Sequence, residues 1–91
     1  MGGSDFAAVC AAALEKPGVL GVMCVDGQGL CLHTEGSVSA SASAGSIAEV
    51  ANHALALAGD DAVVTIEGTQ GKVLLSRSGG VTTALFMEPK S

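Results

Sequence analysis

The side chains best suited to chemistry in this sequence are Cys10, Cys24, Cys31, His33 and His53, and their spacing limits what each can do. The three cysteines form no Cys-x-x-Cys pair, and their number is odd. That argues against a secreted disulfide scaffold and for a reducing compartment. Cys24 and Cys31 flank the turn Asp26-Gly27-Gln28-Gly29, which sets them opposite each other on paired strands. A cross-strand disulfide or a redox switch is conceivable there. A reactive thiol needs a lowered pKa, however, and no Lys, Arg or His adjoins Cys24. His33 stands two residues from Cys31 on the same strand face, so a small thiol enzyme using Cys31 and His33 is one reading. The plainer reading is free thiols packed as small hydrophobes. Neither histidine has a second ligand at i+3 or i+4, so the expectation is no metal. Gly68-Thr69-Gln70-Gly71-Lys72 has only two residues between its glycines and Val73 after the lysine. A phosphate loop needs four residues, a Ser or Thr, and a helix to follow, so this run reads as a hairpin turn. Asp26, Asp60 and Asp61 sit in turns, where carboxylates accept local backbone hydrogen bonds. The expectation is a protein that is not an enzyme and holds no cofactor.

The elements that carry these residues follow from hydrophobic spacing. Phe6, Val9, Cys10, Ala13 and Leu14 recur at helical period, predicting a first helix from about Asp5 to Glu15 with Ser4 as its N-cap. Lys16-Pro17-Gly18 stops it, because proline disfavours helical backbone in the residue before it. Val19 to Val25 is apolar on both faces and reads as a central strand. Leu30 to Glu35 alternates, with Leu30, Leu32 and Thr34 on one face and Cys31, His33 and Glu35 on the other. The stretch Gly36 to Ser46 is rich in Ser and Ala, with Ser43 a candidate cap. Ala44 to Ala58 reads as a long helix closed by Gly59. Val63 to Glu67, Lys72 to Arg77 and Val81 to Met87 are three further strands, with Gly79-Gly80 as one turn and Pro89 ending the order. The sum is one α+β domain over 1–91, folded from about 5 to 87. It is a five-stranded antiparallel sheet with helices on one face, in the order α-β-β-α-β-β-β.

Size and composition bear on what such a domain does. A chain of 91 residues buries only roughly 60% of its unfolded surface and gains from association. Nearly half its residues are apolar, yet Phe6 and Phe86 are its only aromatics. With no stacking platform and a net charge of -5, nucleic-acid binding is not expected. The longest helical apolar stretch is broken by Glu49, Asn52 and His53, so direct membrane insertion is not expected either. The first residues read neither as a signal peptide nor, with Phe6 where Ser or Thr belongs, as a myristoylation site.

The long helix carries more apolar surface than a sheet can take. Ser46, Glu49, Asn52 and His53 cluster on one side, and the apolar arc fills close to half the circumference. A simple surface helix needs only about 100°. Val63-Val64-Thr65-Ile66 has high strand propensity with no proline or lysine to guard it, and is the candidate pairing edge. The expected partner interface is therefore Ile47, Val50, Ala51, Ala54 and Leu57 on the helix, with Val63, Val64, Thr65, Ile66 and Glu67 on the strand.

Two stretches carry a family resemblance. Residues 17–30, with a proline entry and an Asp-x-x-Gly turn, and residues 71–84, with the Gly79-Gly80 turn, look like the first and last hairpins of the roadblock (profilin-like) superfamily. Over about Lys16 to Met87 the chain resembles the branch containing the hepatitis B X-interacting protein, which also ends soon after its fifth strand. The resemblance implies dimerisation through equivalent edge strands, with the long helices side by side. The partner would be a second roadblock-like subunit, with a homodimer possible in isolation. It further implies a place in a larger Ragulator assembly that docks Rag GTPases at the cytosolic face of the lysosome or late endosome for amino-acid activation of TOR complex 1. A lipidated partner would hold that assembly on the membrane. A homodimeric roadblock regulator of a small GTPase is the alternative.

Overall fold

The computed structural model describes residues 6–37, 44–59, 61–69 and 71–88. The expected caps at Ser4 and Ser43, the turn residues Asp60 and Gln70, most of the Ser-rich stretch and Pro89 lie outside the described residues. The elements are α1 (Phe6–Leu14), β1 (Val19–Asp26), β2 (Cys31–Gly36), α2 (Ala44–Ala58), β3 (Val64–Gly68), β4 (Gly71–Ser78) and β5 (Val81–Met87). The five strands form one sheet in the order β2-β1-β5-β4-β3, every neighbour antiparallel. Three of the four pairings are hairpins between consecutive strands, so short turns fix them. The Ser78↔Val81 pair closes over Gly79-Gly80 with φ of 59° and 80°, the positive values a two-residue hairpin demands. The fourth pairing, β1 with β5, is the long-range contact that makes the two hairpin groups one sheet.

The two helices do not share a face, which corrects the expectation that they would. Successive side chains on β1 point to opposite faces. Val22 and Cys24 pack with Cys10, Ala13 and Leu14 of α1, joined by Leu32, Val81 and Leu85. Met23 and Val25 pack instead with Ile47, Ala48, Ala51 and Leu55 of α2, joined by Leu75, Ala84 and Phe86. Each helix therefore covers one side of β1, and two separate apolar cores result. The physical reason lies in β1 itself, since apolar side chains on both faces require cover on both faces. On the α1 side, the far half of the sheet shows the polar residues Thr65, Glu67 and Lys72, with Glu67 directly opposite Lys72. Among the described residues no helix is long and apolar enough to cross a membrane.

Strand β2 departs from simple alternation. Cys24 pairs with His33 but Val25 pairs with Cys31, so the register slips by one residue and Leu32 is the extra residue of a bulge. Leu32 and His33 then lie on the same side, with α1, while Cys31 shares a side with Val25. At the other end of this pair Gly21 faces Gly36. A Cβ on Gly21 would fall 2.0 Å from the Ser37 carbonyl oxygen, so only glycine admits this crossing.

Two stability effects follow. Leu75, among the largest fully buried side chains, should cost roughly 2–5 kcal/mol when cut to alanine, read as a lower denaturant midpoint at unchanged slope. Gly21→Ala should also destabilise the chain, with faster amide exchange in β2 than in β4, because the added methyl displaces the Ser37 backbone.

Candidate partner interface

Helix α2 sorts its residues by angle. Ile47, Ala48, Ala51 and Leu55 face the sheet and are buried. Asn52 lies on one flank and donates from Nδ2 to the Gly27 carbonyl at 3.2 Å. Its Oδ1 accepts from Arg77 Nη2, and Arg77 Nε donates to the buried Thr82 hydroxyl at 3.2 Å. This chain of hydrogen bonds ties α2 to the β1–β2 turn and to β4, and satisfies the one buried polar residue among those described. At 100° per residue the flank opposite Asn52 carries Val50, Ala54 and Leu57.

That sorting divides the residues expected at an interface. Ile47 and Ala51 belong to the chain's own core and are not available to a partner. The reason is that the sheet takes the middle of the apolar arc and leaves only its margin. Leu57 is 91% exposed and Val50 41%, while Ala54 is half-buried. The part of the apolar arc left exposed is its margin, Val50 and Leu57, with Ala54 partly covered. Strand β3 begins at Val64, one residue later than expected, and among the described residues pairs only with β4. Its other side is an open edge, as is that of β2 among the described residues. Val64 packs on the α2-side core, and Ile66, paired with Val73, points to the same side at 45% exposure. Thr65 and Glu67 point to the opposite face, and Val63 precedes the strand at 63% exposure. Val50, Leu57 and Ile66 therefore crop out on one side of the sheet, with the open β3 edge beside Ile66.

The other constellations separate on folding. Cys31 is exposed and on the α2 side of β2, whereas His33 faces the α1 side and bonds through Nε2 to Glu35 Oε2 at 2.9 Å. The bulge at Leu32 has turned them apart, so the thiol–imidazole pair is not assembled. Cys24 and Cys31 are not opposite each other either. The partner of Cys24 is Cys10 of α1, with the two sulfurs 3.2 Å apart. Spacing along the sequence gave no sign of that contact, because it depends on which face α1 covers. His53 is exposed on α2. No group of three or more His, Cys, Asp or Glu able to hold a metal occurs among the described residues. Gly68 pairs with Gly71 across the β3–β4 turn, as a hairpin requires.

This architecture is that of a roadblock/LC7 domain. It is similar to the crystal structure of a Roadblock/LC7 domain from Streptomyces avermitilis, with a TM-score of 0.67 and 18% identity, covering 96% of this chain and 81% of that one. It is also similar to the gliding protein MglB from Thermus thermophilus, with a TM-score of 0.74 and 16% identity over 97% of this chain and 76% of that one. Myxococcus xanthus MglB matches with a TM-score of 0.67 and 18% identity, over 89% and 73%. At these identities the likeness establishes the fold. The family is established by sequence: residues 4–87 match the family of the Ragulator complex protein LAMTOR5, and the chain belongs to it.

The division of α2 into a core side and an outer flank has a direct check. Leu57→Glu should leave the unfolding free energy of dilute chain within about 0.5 kcal/mol of wild type, read from denaturant titration, since its side chain meets water. Ala51→Glu should abolish cooperative unfolding, since it forces a carboxylate without a partner into the core.

Proposed function

We propose that this chain is a non-catalytic scaffold subunit that pairs with a second roadblock-like subunit in a Ragulator-like complex. The observation that carries the reading is the open β3 edge on the side of the sheet where Val50, Leu57 and Ile66 are exposed. An unpaired strand offers a row of N–H and C=O groups for a partner strand, which fixes register. Ile66 on that edge, with Val50 and Leu57 exposed on α2 over the same face, would add the burial that stabilises the pair. A partner that added its own edge strand would extend the sheet and bring its helix against the Val50–Ala54–Leu57 flank. The small Ala54 permits close approach. Thr65 and Glu67 lie at the same edge, on the opposite face, and would contribute backbone rather than apolar contact.

Membership in the LAMTOR5 family supports placing this pair in a Ragulator-type assembly. In that role the composite surface docks Rag GTPases at the cytosolic face of the lysosome or late endosome, in the amino-acid branch of TOR complex 1 signalling. Attachment to the membrane falls to a lipidated partner. A homodimer acting directly on a small GTPase uses the same edge and differs only in the identity of the second chain.

Sedimentation of the purified chain, with and without the double change Leu57→Glu and Ile66→Lys, tests the pairing surface. The expected result is a wild-type dimer at micromolar concentration and a variant that is monomeric, folded and at least tenfold weaker in association. Recovery of tagged chain from its source cells, with the bound chains identified, then separates an unlike roadblock subunit from self-pairing. A wild-type chain that stays monomeric and recovers no roadblock-like subunit would overturn the proposal.

A further inference from the structure

Cys10 and Cys24 lie on the face of the sheet opposite α2, and the partner reading leaves them without a role. Their sulfurs are 3.2 Å apart, and both side chains are essentially buried. Cys10 comes from the middle of α1 and Cys24 from β1, so the contact joins the helix to the sheet. The third cysteine does not compete for Cys24, since Cys31 faces the other side of β2. The remaining sulfur neighbour of Cys24 is the Thr83 hydroxyl at 4.0 Å. We propose that Cys10 and Cys24 are a redox modification site, at which a hydroperoxide-class oxidant closes the two thiols to a disulfide that fastens α1 to β1.

The geometry asks for little movement, because a disulfide needs its sulfurs about 2 Å apart, roughly 1 Å closer than here. In the first step one cysteine sulfur attacks a peroxide oxygen. The S–O bond forms, the O–O bond breaks, and the departing hydroxide takes the thiol proton as water. The product is a sulfenic acid. In the second step the other cysteine sulfur attacks the sulfenic sulfur. The S–S bond forms, the S–O bond breaks, and the leaving hydroxide takes the second thiol proton. Two thiols are oxidised and one hydrogen peroxide is reduced to two waters.

The closed fold holds this reaction back. Burial, followed by the hydrogen bond to Cys24 and the nearby charges, pushes the Cys10 thiol up to about 12. At neutral pH that sulfur is a protonated thiol, which is a poor nucleophile. Oxidation therefore waits for α1 to lift. Helix α1 spans nine described residues, too few to be stable by itself, and among its described side chains Cys10, Ala13 and Leu14 pack it on the sheet. Once it re-docks, a sulfenic acid at either position meets the second thiol. The closed bond then opposes further lifting, because it ties residues 14 apart in sequence.

The test uses the full reduced chain with Cys31→Ser, so that two thiols remain. It is exposed to hydrogen peroxide, unfolded, alkylated and cleaved after glutamate, which cuts at Glu15 and separates Cys10 from Cys24. The expected product is a cross-linked pair of peptides, 1–15 joined to 16–35, with no alkylation at either cysteine. Its formation should slow when a stabilising osmolyte suppresses local opening. The oxidised chain should melt roughly 10 °C higher than the reduced one, and dithiothreitol should reverse the gain. Wild-type chain gives the same linkage with Cys31 left free or singly oxidised. Peroxide treatment that leaves both Cys10 and Cys24 alkylatable, or converts either to a sulfinic acid without the cross-link, would overturn the proposal. So would a Cys10–Cys24 bond that lowers the melting temperature.

Discussion

Strand β1 has apolar side chains on both of its faces, and most of the architecture is a response to that. Val22 and Cys24 look one way, Met23 and Val25 the other, and all four are buried. A strand of that kind cannot sit at the surface of a two-layer domain. It needs a helix above and a helix below, together with strand neighbours on both sides. Helix α1 supplies one cover, α2 the other, and β2 and β5 are the neighbours. The three-layer arrangement in turn pushes β2 and β3 to the margins of the sheet. The open edges are thus a consequence of where the interior strand had to go.

The second consequence is energetic. A small domain divided into two thin cores has little apolar surface to spare for either. Helix α2 resolves this by committing Ile47, Ala48, Ala51 and Leu55 to the sheet, while Asn52 anchors it through Arg77 and Gly27. The margin of its apolar arc is left in water with the outer side of β3. Leu57 at 91% exposure gives this chain nothing on its own account. Association is the event in which such a side chain can leave water, which links the shape of one helix to a scaffolding role in the LAMTOR5 family.

Chemically reactive groups are kept apart or buried. The Leu32 bulge turns Cys31 away from His33, and Cys10 and Cys24 are sealed between α1 and the sheet. Polar side chains in the interior serve structure: the buried Thr82 hydroxyl accepts from Arg77. The Asp26 carboxylate accepts from the Gln28 and Leu30 amides and shapes a turn.

The sequence alone determined everything that depends on neighbours along the chain. Periodicity and breakers gave the order of seven elements, with α2 and β5 bounded as expected and the others within a residue or two. Turn chemistry gave the hairpins, and the mismatch between the apolar arc of α2 and the needs of a sheet pointed to an outward-facing remainder. What only the tertiary structure decided are the choices that local sequence leaves equal. A helix connected by a loop can return to either face, so α1 and α2 on opposite sides were not legible from their own residues, although β1 demanded it. A bulge moves a register by one residue with no change in composition, which is why Cys31 and His33 read as neighbours and are not. The assignment of Ile47 and Ala51 to the core, and of Val50 and Leu57 to the outside, waited on the angle at which α2 meets the sheet. The meeting of Cys10 and Cys24 waited on the face that α1 covers.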